Sequence, residues 1–286
     1  MPPLSLAYSP CPNDTFIFTP WVEGLVADAP PVVPRLADID VLNAAALSGD
    51  PDVVKLSFHA YGHVRDRYVL LRSGGALGRG CGPLVVARDA WAPETLADRT
   101  LAIPGRLTTA ALLARLFAPR LPDEHIRVMP FDRIMDAVAS GQVDAGLIIH
   151  ESRFTYQRHG LRQVVDLGDW WEHATGHALP LGGIAMRRDL GDDLILRTER
   201  ALAASVAFAF AHPEMVWPTV RRHAQELDDD VMRQHIALYV NDFTRDYGVE
   251  GATAIDFLLT RATALGFVPP STAPLFMPTG TIPQTR

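Results

Sequence analysis

His150 is the side chain in this sequence that is best placed to move a proton. It follows residues 143–149, a short apolar run between turn residues, and such a run predicts a strand buried on both faces. Imidazole is the side chain whose ordinary pKa lets it act as an acid or a base near neutral pH. A histidine after a strand can also be purely structural, so a catalytic role for His150 needs support from other residues.

The elements around His150 indicate where it lies in a fold. Residues 132–139 predict a helix that ends at Gly141, and the strand that follows carries His150 at its carboxyl end. In open α/β sheets the carboxyl ends of the strands face the crevice that binds ligands. His150 is therefore expected at the edge of a ligand site.

The same order of elements occurs earlier in the chain. Residues 41–49 predict a small-residue helix ended by Ser-Gly, as residues 134–141 do, and each helix precedes a strand that opens at an aspartate. Ungapped alignment of the two strands places Lys55, Leu56 and Ser57 opposite residues 147–149. Polar groups are therefore expected at matching strand ends in two similar units.

A second similarity links the beginnings of these units. Strands predicted at residues 4–8 and 100–103 each run into a loop that opens a helix, and these loops carry Asn13 and Asp14 in one case and Thr108 and Thr109 in the other. Unpaired amides at a helix start can hold an anion or a carbonyl oxygen. Asp14 is expected either on the floor of such a site or as a helix cap.

These similarities predict an α/β protein of two lobes that face one cleft. The first lobe would comprise residues 1–82 and 187–286, and the second lobe residues 83–186. The glycine-rich segment 73–82 predicts a flexible turn before the crossing into the second lobe, because it lacks the Gly-Lys-Ser/Thr end of a phosphate loop. A strand at 179–186 would return to the first lobe, and two such crossings would make a hinge.

The C-terminal part of the chain predicts helices. Segments 194–211, 213–226, 228–243 and 249–265 carry apolar stripes at helical spacing, so their Met and aromatic residues are expected in the core. The tail from residue 269, rich in Pro and Thr, is expected to be irregular.

Composition excludes several kinds of partner. The 286 residues are 48% hydrophobic, enough for substantial cores, and the net charge of -7 comes without any Lys/Arg run. Nucleic acid and an anionic membrane surface are therefore not expected as partners. Neither a signal-peptide pattern nor a membrane-spanning run is present, which predicts a cytoplasmic protein.

Metal binding is not expected. Cys11 and Cys81 are too few for a zinc site on thiols alone. His173 and His177 have the spacing of a helical zinc pair, but a glycine and a proline interrupt the helix there and no third ligand is evident. Cys11 could be a nucleophile, but it has no dedicated base in the sequence, and a small buried residue is the preferred interpretation.

Five motifs in order carry a resemblance to a known family. They are S-P-C-P-N-D-T-F from residue 9, K-L-S-F-H-A-Y-G from residue 55, G-R-G-C-G-P from residue 78, I-P-G-R-L-T-T-A from residue 103 and G-L-I-I-H-E-S-R-F-T from residue 146. Together they resemble the 1,4-dihydroxy-6-naphthoate synthase family of the futalosine route to menaquinone. The resemblance extends from residue 4 to about residue 186, and the helical remainder is compatible with it.

The resemblance implies a fold like that of type II periplasmic binding proteins, with two α/β lobes, a central cleft and a helical C-terminal part. It implies a carbon-carbon lyase that converts cyclic dehypoxanthine futalosine to 1,4-dihydroxy-6-naphthoate and releases the sugar-derived fragment. No cofactor is expected. The implied partner is this small-molecule substrate. A homodimer is a candidate assembly on which the sequence does not decide.

The resemblance also implies roles for individual residues. The histidine of the Ile-Ile-His-Glu motif, His150, would be the proton acceptor. Substrate contacts would come from two stretches: Lys55, Leu56 and Ser57, and the pair Thr108 and Thr109. Position alone adds Asn13 and Asp14 to the floor of the site, and His59 is the reserve candidate for the base.

Two alternatives stay open. The sister chorismate dehydratase of the same pathway shares the fold implied by the resemblance, but the histidine-bearing motif argues against it. A solute receptor would share the fold as well, but an export signal is expected for such a protein. A cytoplasmic sensor that binds a metabolite without consuming it survives that objection.

Overall fold

Two β-sheets connected by helices make up the computed structural model, which describes residues 2–224 and 228–278. In chain order the strands are β1 (Leu4–Tyr8), β2 (Val32–Leu36), β3 (Val53–Ser57), β4 (Tyr68–Leu70), β5 (Ala76–Gly78), β6 (Leu84–Ala87), β7 (Leu101–Ile103), β8 (Ile126–Val128), β9 (Ala145–Ile148), β10 (Arg162–Asp166) and β11 (Leu179–Arg187).

The helices are interspersed among the strands as far as β11 and follow one another after it. They are α1 (Pro12–Val22), α2 (Ile39–Ser48), α3 (Phe58–Val64), α4 (Thr109–Phe117), α5 (Phe131–Ala139), α6 (Ser152–Thr155), α7 (Leu167–Thr175), α8 (Asp192–Ala211), α9 (Pro213–His223), α10 (Asp229–Tyr239), α11 (Asp242–Arg245) and α12 (Gly248–Ala264). Within residues 2–224 and 228–278 no helix has the length and apolarity needed to cross a membrane.

Each sheet combines parallel and antiparallel strands. The first has the order β2-β1-β3-β11-β4, with β5 also paired with β11, and the second has the order β10-β6-β9-β7-β8. Strands β1, β2 and β3 are parallel in the first sheet, as β7, β8 and β9 are in the second. The carboxyl ends of these parallel strands carry the residues singled out by the sequence.

The chain passes from one sheet to the other twice. It leaves the first sheet after β5 to enter β6, and it returns from α7 into β11, which pairs with β3, β4 and β5. One buried apolar cluster contains residues of both sheets, among them Leu56 and Leu147. The division of the chain into lobes at residues 82 and 186 stays a prediction.

Several elements begin and end close to where the sequence predicted them. The helix predicted at 132–139 is α5, and Gly141 has a φ of 79° just beyond it, a conformation that glycine adopts without a Cβ penalty. The strand predicted at 143–149 is β9. Thr108 caps the helix predicted to begin there, because its Oγ1 accepts a hydrogen bond from the Ala111 amide at 3.1 Å.

Other boundaries differ from the prediction for identifiable reasons. Asn13 and Asp14, predicted in the loop that opens the first helix, lie within α1. This helix begins at Pro12, because the first helical turn needs no hydrogen bond from the backbone nitrogen that proline lacks. The helix predicted at 228–243 is split into α10 and α11, since Asn241 leaves the helical conformation and caps α11 with its side chain. The predicted end of the preceding helix, at residue 226, lies outside the described residues.

The glycine-rich segment 73–82 contains a strand where a flexible turn was predicted. Residues 76–78 form β5, which pairs with β11. A Cβ on Gly82 would lie 2.2 Å from the Cα atom of Gly168, and a Cβ on Gly75 would lie 2.0 Å from the hydroxyl of Tyr247. Close packing therefore explains these two glycines without a bound phosphate.

Candidate active site

One cavity brings together residues from the ends of β1, β3, β7 and β9. Its empty space, including the solvent at its open side, is about 650 Å³. It is lined by seven of the eight residues that the sequence analysis proposed for the site: Asn13, Asp14, Lys55, Ser57, Thr108, Thr109 and His150. The two similar units of the sequence therefore contribute to the same cavity.

Leu56 is the proposed site residue that does not line this cavity. Its side chain is fully buried in the apolar cluster shared by the two sheets. Successive side chains of a strand point to opposite faces, so the strand that turns Lys55 and Ser57 towards the cavity turns the side chain of Leu56 away. A substrate contact by Leu56 stays a prediction.

Asp14 and Lys55 form a buried ion pair on the wall of the cavity. The Nζ atom of Lys55 lies 2.5 Å from Oδ1 of Asp14, and the two side chains are 6% and 1% exposed. The carboxylate of Asp14 also accepts hydrogen bonds from the Ser9 hydroxyl at 2.6 Å and from Nδ2 of Asn13 at 2.8 Å. Asp14 therefore fixes the position of a cationic group beside the cavity.

The hydroxyl groups of Thr108 and Thr109 both donate their hydrogens to backbone carbonyls of the protein. Thr108 donates to the carbonyl of Gly105 at 2.8 Å, and Thr109 donates to the carbonyl of Leu181 at 2.6 Å. The first amides of a helix have no partner within the helix. The N-terminal amides of α4, at Thr109 and Ala110, are therefore the donors that this wall offers to a ligand.

Ser57 offers a hydroxyl donor. Its Oγ atom accepts a hydrogen bond from Nδ2 of Asn43 at 3.1 Å, and its backbone amide donates to Oδ1 of Asn43 at 2.9 Å. These bonds fix the residue at the end of β3. Because Oγ acts as an acceptor towards Asn43, its own hydrogen is available to a ligand.

His150 is held in a rare backbone conformation. Its φ of 56° lies in the left-handed region, which few residues other than glycine adopt. The Phe131 ring packs edge-on against the imidazole, with the centroids 5.2 Å apart. Nδ1 of His150 lies 3.4 Å from Sγ of Cys11. Strain of this kind persists where the surrounding contacts determine it, and it is frequent at functional sites.

The surroundings of His150 keep its imidazole neutral. Burial lowers the pKa of His150 to about 4; the carboxylate of Asp14 opposes this shift and the charge of Lys55 adds to it. At neutral pH the ring therefore has one nitrogen with a free lone pair. Burial also raises the pKa of the Cys11 thiol well above its ordinary value, and Glu151 adds to this effect.

His59 lies outside the lining of the cavity. Its Nδ1 is 3.3 Å from the carbonyl oxygen of Thr108, and its backbone amide donates to the Thr109 hydroxyl at 3.4 Å. Burial lowers the pKa of His59 to about 4, and the nearby His63 contributes. These contacts connect α3 to the start of α4.

Three groups at or beside the cavity are able to bind a metal. One ligand atom each from Cys11, His150 and Glu151 lies within 4.8 Å of the others. Coordination there would use the imidazole that the sequence analysis assigns as the base. His173 and His177 are separated by the end of α7 at Gly176, whose φ is 75°.

Comparison with known proteins identifies the family. A family model described as menaquinone biosynthesis matches residues 4–264. The chain belongs to this menaquinone biosynthesis family. It is 53% identical over 277 residues to the 1,4-dihydroxy-6-naphthoate synthase of Thermus thermophilus, with 97% of this chain and 100% of the relative covered.

A second relative agrees with the first. The protein of the same name from Streptomyces coelicolor is 51% identical over 269 residues, which cover 93% of this chain and 95% of the relative. Since both relatives are named as synthases and match over nearly the whole chain, this member of the menaquinone biosynthesis family is an enzyme.

Solved structures confirm the predicted fold. A protein from Archaeoglobus fulgidus has a TM-score of 0.86 and 35% identity, and the match covers 93% of this chain and 98% of that one. The periplasmic aliphatic sulphonate-binding protein of Escherichia coli has a TM-score of 0.63 and 13% identity, with 94% and 90% covered. This family member therefore has the periplasmic-binding-protein-like fold.

Two side chains of the candidate site in this enzyme were not predicted from the sequence. His235 and Tyr239 line the cavity from α10, which was expected to supply only core residues. The two residues are one turn apart, and their ring centroids are 4.6 Å apart. The available signal was a histidine within a helical stripe otherwise made of apolar residues, a pattern that a buried structural histidine also produces.

Proposed function

We propose that this enzyme is a carbon-carbon lyase that converts cyclic dehypoxanthine futalosine to 1,4-dihydroxy-6-naphthoate. One observation carries the proposal: a neutral imidazole and a set of fixed hydrogen-bond donors line the same cavity. The product named for the two relatives supports the choice of reaction. Cleavage of this kind needs a base together with stabilisation of developing negative charge.

His150 is the proton acceptor in this proposal. Its imidazole is neutral at neutral pH because burial lowers its pKa, so a lone pair is present without prior loss of a proton. Cys11 and Phe131 hold the ring from two sides. This fixed orientation allows proton transfer without a search among rotamers.

The donors lie on the other walls of the cavity. Lys55, the Ser57 hydroxyl and the amides at the start of α4 would stabilise charge on a carbonyl or enol oxygen, or hold a carboxylate of the substrate. Asp14 acts through Lys55, because its carboxylate fixes the ammonium group. Asn13 joins the same network through its bond to Asp14.

The proposal also includes the location of the enzyme, the closure of its lobes and its assembly. We place the reaction in the cytoplasm, between lobes formed by residues 1–82 with 187–286 and by residues 83–186. Closure of the lobes would exclude water from the ligand. A homodimer is the candidate assembly, and light scattering on the purified protein would measure its mass in solution.

Product analysis tests the reaction directly. The purified protein is incubated with cyclic dehypoxanthine futalosine, and in parallel with chorismate, and products are followed by chromatography with mass detection. The naphthoate is expected from the first incubation only. Dehydration of chorismate would show the sister activity, and substrate that binds without being consumed would favour a sensor.

A further inference from the structure

His235 has a nitrogen atom that the protein itself leaves unsatisfied. Its side chain is 1% exposed and lines the cavity, yet its Nδ1 atom has no hydrogen-bond partner among the described residues. Leaving a buried polar atom without a partner costs about 1–3 kcal/mol. Because His235 lines the cavity, a nitrogen of this residue without a partner indicates a hydrogen-bonding group supplied by a ligand.

The hydrogen-bond network identifies the vacant position as an acceptor. The carboxylate of Asp14 can only accept, so the 2.8 Å contact with Asn13 must come from the amide nitrogen Nδ2. This orientation turns Oδ1 of Asn13 towards Nε2 of His235, 2.9 Å away. Because Oδ1 can only accept, Nε2 of His235 carries the hydrogen.

The other nitrogen therefore carries a lone pair. Burial lowers the pKa of His235 well below its ordinary value, and the neighbouring His150 and the charge of Lys55 contribute. The ring is thus neutral, with its single hydrogen on Nε2. Nδ1 is then a hydrogen-bond acceptor without a donor.

We infer that Nδ1 of His235 binds the substrate by accepting a hydrogen bond from one of its hydroxyl groups. The inference rests on the proposed function, because the sugar-derived part of that substrate supplies hydroxyl groups. A neutral hydroxyl suits the position better than an ammonium group, since the nearby Lys55 repels a second cation. His235 is accordingly a substrate-binding residue contributed by the C-terminal helices.

The position of His235 also gives it a task distinct from that of His150. The two rings are nearly parallel, with 19° between their planes and 6.3 Å between their centroids. His150 offers a base next to Cys11, whereas His235 is fixed by the network of Asn13, Asp14 and Lys55. His150 would accept a proton while His235 holds the sugar-derived part of the substrate in place.

Two substitutions distinguish the roles of the two ring nitrogens of His235. In His235→Asn the new Oδ1 takes the place of Nδ1 as an acceptor, and in His235→Gln the new Nε2 takes the place of the donor to Asn13. We expect His235→Gln to raise KM and the substrate Kd about tenfold, the effect of losing one hydrogen bond at a buried site. We expect His235→Asn to bind substrate within a few-fold of wild type.

Binding is measured by calorimetry and turnover by product analysis. Circular dichroism and urea unfolding identify a variant that has lost its fold, and the other variant then supplies the comparison. If His235→Gln matches wild type in KM and Kd, or if a folded His235→Asn binds as weakly as a folded His235→Gln, the inference is overturned.

Nitrogen NMR of the protein labelled at histidine gives a readout that a merely structural role would not change. The Nδ1 signal of His235 is expected at an unprotonated position in the free protein and is expected to move towards a hydrogen-bonded position when substrate is added. A signal that stays unchanged in saturated wild-type enzyme would overturn the inference while leaving the proposed function standing. Wild-type protein that neither binds nor converts the substrate would overturn the proposed function, and this inference with it.

Discussion

The Nδ1 atom of His150 lies 3.4 Å from the Sγ atom of Cys11, a residue 139 positions earlier in the chain. This contact joins the loop after β1 to the end of β9, and so it links the two sheets at the cavity. When Nδ1 carries the hydrogen and donates it to sulfur, Nε2 of His150 has the free lone pair. In the proposed reaction Cys11 is then a positioning residue for His150, a role distinct from that of a nucleophile.

Replacement of His150 by alanine tests the role of the base. We expect His150→Ala to lower kcat by roughly 100 to 10,000-fold, the range for a lost general base, and to leave the substrate Kd largely unchanged. His173→Ala is the matched control, because His173 is an exposed histidine on α7 and is expected to leave kcat unchanged. Turnover of His150→Ala within a few-fold of wild type would remove His150 from this role.

Cys11 is expected to be a poor nucleophile in the folded enzyme. The thiolate is the reactive form, and burial raises the pKa of Cys11 well above its ordinary value and that of Cys81 to about 12. Alkylation by iodoacetamide should therefore be slow for both thiols in the native protein and fast in urea, as mass spectrometry can measure.

Cys11→Ala should lower kcat by less than about tenfold, because it removes one weak hydrogen bond to His150. Cys81→Ala is the control, since Cys81 lines the same cavity. A loss of activity as large as that of His150→Ala would instead make Cys11 part of the chemistry.

The pH profile is expected to reflect the lowered pKa of His150. A base must be unprotonated to accept a proton, and burial lowers the pKa of His150 from 6.5 to about 4. The neutral form therefore persists through pH 6.5, and kcat/KM should fall only as the pH decreases through about 4. Circular dichroism at each pH checks that the enzyme is folded, and a midpoint near 6.5 would contradict the expected environment of His150.

The sequence predicted the part of the site that depends on local order along the chain. Apolar runs between turn residues correspond to β3 and β9. Ser57, the last residue of β3, and His150, shortly after β9, line one cavity. These predictions could be made from the sequence because the carboxyl ends of parallel strands meet at one edge of a sheet. The position of Thr108 could also be predicted, since a threonine before an apolar helix is a common cap.

The rest of the site depends on tertiary contacts that leave no local pattern. His235 is 222 positions from its partner Asn13 in the chain, and the apolar stripe around it indicates only that one face of α10 is buried. The motif that carries Leu56 gave no indication of the direction of its side chain. A motif names consecutive residues, whereas a strand turns alternate side chains to opposite faces.

Thr108→Val tests the contribution of the start of α4 to ligand binding. The Thr108 hydroxyl caps α4 and donates to the Gly105 carbonyl, so its loss should destabilise the protein by about 0.5–2 kcal/mol and displace the amides at the start of α4. We therefore expect a raised KM. Thr108→Ser keeps the cap and should retain wild-type KM and stability, and an unchanged KM in Thr108→Val would show that this helix start does not contact the ligand.

The buried pair of Asp14 and Lys55 gives a prediction for stability. Asp14→Asn leaves the ammonium group of Lys55 in a buried position without its counter-charge, and breaking a buried pair in this way costs about 3–5 kcal/mol. Asp50→Asn is the matched control, because Asp50 pairs with Arg35 at the surface, where both side chains are more than half exposed, and such pairs contribute about 0–1 kcal/mol. Urea unfolding of the two variants measures both values. Equal effects would mean that Lys55 finds other partners when Asp14 is lost, and Asp14 would then have no special part in holding the cation at the cavity.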